Sequence, residues 1–205
     1  RRGEIFTTHI STAVQLALNG SEPNSLLVFS GGETRIAAGT HSEAAGYREL
    51  AERYVEGFAD VEERVITEDH AADSWENLVF SICRFREVTG HWPGRIVVVG
   101  FGFKERRFAD VHRVMAGWEG DEGRWRYVGV DPEWGEGEMA GVLRGEERAR
   151  ALFESDCRAE ELREKRMSRR WGRRRDGYTE SCPEYAGWLR RCEGGWPGVV
   201  GEAPW

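Results

Sequence analysis

Hydrophobic positions along the chain form two kinds of pattern, short apolar runs and longer amphipathic stretches. The short runs end in glycine or polar residues and are typical of strands; they cover residues 25–29, 65–67, 95–99 and 126–130. Apolar residues recur every three or four positions in the longer stretches, which predicts helices; these cover residues 8–18, 42–56, 73–89 and 104–116. The run LLVF at 26–29 fits a strand buried on both faces, and RIVVV at 95–99 is the clearest buried strand.

The helix boundaries carry their own signals. Ser42 is a suitable N-cap for the second helix. Asp73 is suitable for the third, with Glu76 three residues later completing a capping box. Asn19-Gly20 and Gly90 are stop signals. A helix followed by four strands that alternate with three helices indicates right-handed crossovers. The sequence therefore predicts an α/β fold with a mainly parallel sheet and helices on both faces.

Both ends of the chain lack this regular alternation. In a regular strand–helix alternation the first helix should follow a strand. We therefore expect a further strand ahead of Arg1. Residues 134–142 show no clear period, and 145–155 are helical in pattern. We expect an α/β domain over residues 1–156. A charged extension with Trp and Cys, residues 157–205, would pack on that domain or trail from it.

Composition limits the function classes. The 205 residues carry a net charge of −7, which argues against general nucleic-acid binding. No apolar run reaches the length of a membrane span. The four cysteines lack metal-ligand spacing, so no metal is expected. Cys83 is predicted to be a small core residue. A disulfide between Cys182 and Cys192 is less favoured than reduced thiols. We therefore expect a cytoplasmic protein.

Ser30, Gly31 and Gly32 follow the first strand. The glycine N–H groups could cradle an anion, and Ser30 could bind or attack a substrate. The alternative is a turn that needs glycine only for its geometry. Thr34 belongs to the same loop, and Glu43 opens the helix expected to face it.

Glu68 ends the second strand, where an acid can serve as a general base or bind ribose hydroxyls. Asp73 and Glu76 are explained equally well as helix caps. Asn77 lies one turn into the helix and has no capping role, which favours a ligand or loop contact. His70 could be an acid or base, but a single loop histidine is more often solvated.

Lys104 and Arg107 open the helix after the third strand. Two cations at this position are unusual because the helix dipole favours anions there. They could bind a phosphate or carboxylate, or they could be solvated. The basic stretch REKRMSRRWGRRR at 163–175 is compensated by nearby glutamates, which favours a solvated helix face and linker over a nucleic-acid or membrane surface.

Four motifs resemble the domain of unknown function 218 family, which includes the bacterial YdcF, SanA and ElyC proteins, and its eukaryotic fungal-type branch in particular. They are SGGETR at 30–35, SEA at 42–44, E-x-x-x-x-D-S-x-E-N at 68–77 and FKERRF at 103–108. The resemblance extends into the tail through Cys182-Pro183 and Pro204-Trp205. It implies a Rossmann-like three-layer αβα sandwich whose first strand is missing here.

The resemblance also implies a set of site residues in one pocket: Ser30, Gly31, Gly32, Glu43, Glu68, Ser74, Asn77, Lys104 and Arg107. S-adenosylmethionine-type ligands are associated with the family, whereas its bacterial cell-envelope roles should not transfer. The chain departs from the family pattern at Ala71, where bacterial members tend to have Ser, and at Gly100-Phe101-Gly102, which replaces a more polar strand end. The second departure removes a candidate proton-transfer group.

These observations lead to two hypotheses. The first is a domain that binds a small nucleotide-like or phosphorylated ligand at the strand ends, with Ser30 and Glu68 as the catalytic candidates if it is a transferase or a hydrolase. The second is a non-catalytic scaffold that binds a partner through its basic tail. A dinucleotide-dependent oxidoreductase is disfavoured because the chain has no G-x-G-x-x-G motif.

Overall fold

The computed structural model describes residues 2–20, 24–118, 122–135, 137–155, 159–169, 177–178 and 180–183. Its strands are β1 (Leu27–Ser30), β2 (Val65–Glu68), β3 (Ile96–Gly100) and β4 (Trp125–Gly129). Its helices are α1 (Arg2–Asn19), α2 (Glu43–Tyr54), α3 (Ser74–Thr89), α4 (Arg113–Met115), α5 (Glu138–Ser155) and α6 (Glu160–Ser168). The prediction of a mixed α/β chain is confirmed.

The strands form two parallel pairs. β1 pairs with β2, with Ser30 opposite Glu68, and β3 pairs with β4, with Gly100 opposite Gly129. In the part of the chain that the structure describes, these pairs are separate two-stranded sheets. The parallel direction agrees with the sequence prediction, but β1 and β3 are not hydrogen-bonded to each other.

Helix α1 contacts both strand pairs and runs antiparallel to them. At its middle, the His9 ring packs edge-on against Phe101, just beyond β3, at 4.7 Å between centroids. Near its end, the carbonyl oxygen of Ala17 accepts a hydrogen bond from Arg64, which directly precedes β2. The carboxyl ends of β1 and β3 consequently lie toward the same end of α1.

Two hydrophobic clusters form the core. The α1–α2 cluster includes Val14, Phe29, Ala51 and Val65, and the α3 cluster is built around Val79. Other members of the α3 cluster are Trp75, Phe108, Trp125, Phe153, Leu162 and Cys182. Since strand side chains alternate between faces, Phe29 points into the α1–α2 cluster, whereas Ser30 contacts Asn77 of α3.

The predicted caps of α2 and α3 are confirmed. Ser42 Oγ accepts a hydrogen bond from the Ala45 N–H at 2.9 Å, and Asp73 accepts one from the Glu76 N–H at 2.9 Å. The Glu76 carboxylate accepts a hydrogen bond from the N–H of Ala72. In the usual capping box the donor is the N–H of the cap residue itself, which here is Asp73. Gly90 ends α3 in the left-handed conformation, as predicted.

Other predicted boundaries were wrong. Helix α1 begins at Arg2, six residues before the predicted start, and Ile5 extends its buried stripe. Helix α5 begins at Glu138 within a stretch that shows no clear period, because the Glu138 carboxylate accepts a hydrogen bond from the Gly135 N–H and closes the turn ahead of the helix. The strand expected ahead of Arg1 lies outside the described residues.

Strand β3 is not buried on both faces, contrary to its apolar sequence. Its residues are half-buried, and Val97 is 41% exposed. The physical reason is that β4 is its one strand partner among the described residues, so its second edge is not covered by a neighbouring strand.

The helical run after β3 is irregular where the sequence predicts a regular helix. A 3-10 turn (Gly102–Lys104) and a π-helical turn (Arg107–His112) lead into the short α4. Arg107, Phe108, Val111 and His112 of the π-turn are all buried.

The longest helices, α1 and α5, each have 18 residues. Among the described residues, no helix combines the length and the apolar character that crossing a membrane requires.

The described part of the extension packs on α3. Arg166 Nε donates to Asp73 Oδ2 at 2.6 Å, and Arg169 donates to the carbonyl oxygen of Ala72 at 2.7 Å. These two arginines are therefore not a solvated helix face, contrary to expectation, because they bind the start of α3. Residues 170–175 and Cys192 lie outside the described residues.

Candidate functional site

Ser30 and Glu68 form the centre of the site. Their Cα positions are paired across β1 and β2, and Ser30 Oγ donates to Glu68 Oε2 at 2.6 Å. Asn77 of α3 lies next to them, with its carbonyl and side-chain oxygens both 3.4 Å from Ser30 Oγ. These longer contacts are weak beside the Glu68 bond, which takes the one Ser30 proton.

The Glu68 carboxyl is enclosed and accepts four hydrogen bonds. Oε1 accepts three of them, from the N–H of His70 at 2.7 Å, the N–H of Ala71 at 3.2 Å and the Tyr178 hydroxyl at 3.3 Å. Oε2 accepts the bond from Ser30. Glu68 is completely buried, so it does not meet a ligand directly in this conformation.

Burial also determines the charge of Glu68. Desolvation raises its pKa to about 7, against the opposing effect of the Ser30 and backbone hydrogen bonds. A carboxyl with this pKa exchanges a proton near neutral pH, which suits a general base. Its proton partner in the structure is the Ser30 hydroxyl.

The two glycines after β1 are used for close packing. The Gly31 N–H donates to the carbonyl oxygen of Glu68 at 3.0 Å, and the Gly32 N–H donates to that of Ala71 at 2.8 Å. An added Cβ on Gly31 would lie 2.8 Å from Glu43 Cβ, and Gly31 has a φ of +150°. Because both N–H groups are occupied, the predicted anion cradle is not formed by them.

The start of α2 is held against these glycines by hydroxyl–carboxylate contacts. The Thr34 hydroxyl donates to Glu43, and the Ser42 hydroxyl donates to Asp69 at the end of β2. Asp69 also accepts from the Thr67 hydroxyl at 2.9 Å. Thr34 and Glu43 thus lie together over Gly31, while Asp69, which sequence analysis did not single out, links α2 to β2.

Lys104 lies across from Glu43, after the end of β3. Its ammonium lies over the rings of Phe101 and Phe103, at 5.1 and 5.8 Å from their centroids. Within the described ranges, no carboxylate comes within ion-pair distance of it. Burial lowers the Lys104 pKa, Arg107 lowers it further, and Glu146 and Glu43 oppose these effects. Glu43 is thus close enough to Lys104 to raise its pKa, which relates the start of α2 to the end of β3.

Arg107, in contrast, is neutralised internally. It forms an ion pair with Glu146 of α5 at 2.9 Å, and both side chains are only 10% exposed. Burial lowers the Arg107 pKa, and Glu146 raises it. Glu146 lies 39 positions away. Gly145-Glu146 is one of the tail positions that resemble the fungal-type branch, but the pairing with Arg107 was not predicted.

Ser74 belongs to a different group from Ser30. Its hydroxyl lies 2.8 Å from Nε2 of His112, a fully buried residue of the π-turn. Burial holds the His112 pKa well below its ordinary value, so this imidazole is neutral. The hydrogen bond joins α3 to the helical run after β3.

A polar cavity of about 270 Å³ lies at the carboxyl end of β2. Asp69, His70, Arg84 and Tyr178 are among its lining residues. No group of three or more metal-ligating side chains occurs in the part of the chain that the structure describes. The sequence did not point to this cavity, because Tyr178 lies in the extension, far from the strand-end motifs.

The comparisons with known proteins give one relative. The chain is 28% identical over 163 residues to the Saccharomyces cerevisiae (strain ATCC 204508 / S288c) protein named "Uncharacterized protein YOR238W". The match covers 62% of this chain and 53% of the yeast protein, so the chain spans about half the length of that relative. No protein-family profile matches the chain. No solved structure matches it.

Proposed function

We propose that the chain binds a small anionic ligand, nucleotide-like or phosphorylated, between the carboxyl ends of β1 and β3. The observation that carries this proposal is the half-buried Lys104 ammonium, which has no carboxylate at ion-pair distance among the described residues. Burying a charge without an ionic partner is costly, so an anion next to Nζ recovers free energy. Inorganic phosphate and phosphate esters are anions of suitable size.

The surrounding residues have distinct parts in this proposal. Arg107 and Glu146 form a neutral pair that fixes the helical run carrying Lys104. Ser30 and Asn77 offer polar groups toward the uncharged part of the ligand, while Glu68 acts through Ser30 because it is completely buried. In a Rossmann-like three-layer sandwich, the fold that we propose here, ligands bind at this kind of strand-end position.

The test is a titration calorimetry panel of ADP, S-adenosylmethionine and glucose 6-phosphate on the chain and on Lys104→Met. We expect at least one phosphate ligand to bind and the substitution to weaken it about tenfold or more, the usual value of a charged contact. Arg106→Met is the matched control, since Arg106 lies two residues away and its side chain is 75% exposed. Equal weakening by both variants, or no binding of any panel member, would contradict the proposal.

The Ser30–Glu68 contact favours a second candidate, a transferase or hydrolase reaction at the same site. Glu68 would accept the Ser30 proton while Ser30 Oγ attacks an acyl or phosphoryl group, the bond to the alcohol or phenol leaving group breaks, and that group departs with the substrate oxygen. Hydrolysis of p-nitrophenyl acetate and p-nitrophenyl phosphate by the chain, Ser30→Ala and Glu68→Gln tests it. Activity in the chain that both substitutions abolish supports catalysis, and activity unaffected by Ser30→Ala rules out this role for Ser30.

A further inference from the structure

Cys83 and Cys182 are adjacent in the folded chain. Both carry free thiols and both are completely buried, Cys83 on α3 and Cys182 in the described part of the extension. Cys182 lies close enough to the Cys83 thiol to raise the pKa of that thiol, and both residues belong to the α3 cluster. The sequence suggested Cys192 as the alternative partner of Cys182, whereas the structure places Cys83 beside it.

The turn that carries Cys182 also closes over Glu68. The Cys182 N–H donates to the carbonyl oxygen of Tyr178 at 2.9 Å, which fixes the two residues relative to each other. The Tyr178 ring packs on Phe80, 5.2 Å between centroids, and on His70, 5.5 Å. Its hydroxyl donates to Glu68 at 3.3 Å. A bond at Cys182 would therefore hold Tyr178 on Glu68.

We propose that Cys83 and Cys182 are a redox-closable pair whose disulfide fastens the turn around Tyr178 over Glu68. The consequence for ligand binding rests on the proposed function, because it requires Glu68 and Ser30 to belong to the ligand site. The disulfide itself does not depend on that function.

The oxidation requires a two-electron oxidant such as a peroxide. One thiol attacks hydrogen peroxide and becomes a sulfenic acid, with release of one water. The second thiol then displaces the sulfenic oxygen as a second water, and the S–S bond forms. In sum, two thiols and one peroxide give one disulfide and two waters. The azo oxidant diamide achieves the same change, since its N=N bond takes up both hydrogens and becomes a hydrazine.

Burial controls when this reaction occurs. It raises the pKa of the Cys83 thiol, which keeps the thiol protonated and unreactive while the turn is packed. The oxidant therefore reaches the pair only when the turn lifts from α3. Once the turn packs again, the second thiol meets the oxidised one and the disulfide forms.

The experiment uses the full chain with Cys157→Ala and Cys192→Ala, so that Cys83 and Cys182 are its two remaining cysteines. After diamide treatment we expect loss of both free thiols and a Cys83–Cys182 cross-linked peptide in mass spectrometry. Hydrogen exchange at residues 177–183 should slow in the oxidised protein and recover with dithiothreitol. Adding Cys83→Ala is the matched control, which should abolish both effects.

Two results would overturn the proposal: no intramolecular cross-link, or a cross-link that leaves exchange at residues 177–183 unchanged. A separate ADP titration addresses the ligand site. If ADP binds the reduced protein, we expect the oxidised protein to bind it about fivefold or more weakly, a typical coupling between sites. The titration is repeated with S-adenosylmethionine and glucose 6-phosphate; absence of binding of all three ligands in both forms would contradict the ligand proposal and leave the cross-link and exchange results to decide this one.

Discussion

Ser30 and Glu68 are joined twice, as register partners of β1 and β2 and through a 2.6 Å hydrogen bond between their side chains. The sheet thus fixes the hydroxyl and the carboxyl relative to each other. Preorganisation of this kind is what a proton-transfer pair requires, because no rearrangement has to precede the reaction.

Glu68 makes stability depend on pH in an unusual direction. Its folded pKa of about 7 lies above the model-compound value of 4.5, so its contribution is full below pH 4.5 and is lost as the pH rises through 7. The loss between these limits is on the order of 3 kcal/mol. Denaturation at a series of pH values should show this decline in the wild type and a flatter profile in Glu68→Gln. Glu63→Gln, at an exposed position, should keep the wild-type profile, and a decline that persists in Glu68→Gln would refute the assignment.

Lys104→Met should stabilise the ligand-free protein. The substitution removes a desolvated charge and leaves an apolar side chain that packs on the Phe101 and Phe103 rings. We expect the free energy of unfolding to rise by about 1 kcal/mol. Because the folded pKa of Lys104 lies below its ordinary value, the wild type recovers stability as the pH rises through that pKa. The advantage of Lys104→Met, measured by thermal unfolding, should therefore shrink in alkaline buffer. Arg106→Met should show neither the gain nor the pH dependence.

Gly31→Ala should destabilise the protein by about 1–3 kcal/mol, the usual cost of overpacking. The new methyl would meet Glu43 Cβ at 2.8 Å, at a backbone φ of +150° that alanine rarely adopts. Gly141→Ala is the opposite control. Gly141 is an exposed position of α5, and no atom lies within 4 Å of an added Cβ. Gly141→Ala should therefore raise the free energy of unfolding by about 0.5–1 kcal/mol. Equal effects of the two substitutions in urea denaturation would show that the Gly31 contact is not tight.

Local patterns predicted most of the secondary structure. The caps at Ser42 and Asp73 and the stop at Gly90 depend on nearest neighbours along the chain, and each is confirmed. The exposure of Val97 was not predictable in this way, because it depends on whether a strand covers the far edge of β3. The same limit applies to Gly31, whose role is decided by Glu43 packing above it.

The partners of the site residues were the least predictable feature. Tyr178 reaches Glu68 from 110 positions away, and Arg166 reaches Asp73 from 93 positions away. No periodicity or spacing connects residues so far apart. Sequence analysis thus found one member of each pair, Glu68 and Asp73, and missed the side chain that completes it.

The division of the core into two hydrophobic clusters has a consequence for how the molecule unfolds. The α1–α2 cluster contains residues of β1 and β2, whereas the α3 cluster contains residues of β4, α5 and the extension. Each cluster has its own strand pair, so each can act as a cooperative unit with its own free energy of opening. Helix α3 packs on β1 and β2 while its buried residues belong to the α3 cluster, which makes it the coupling element between the two units. Loss of α3 packing would let one half of the molecule melt while the other stays folded.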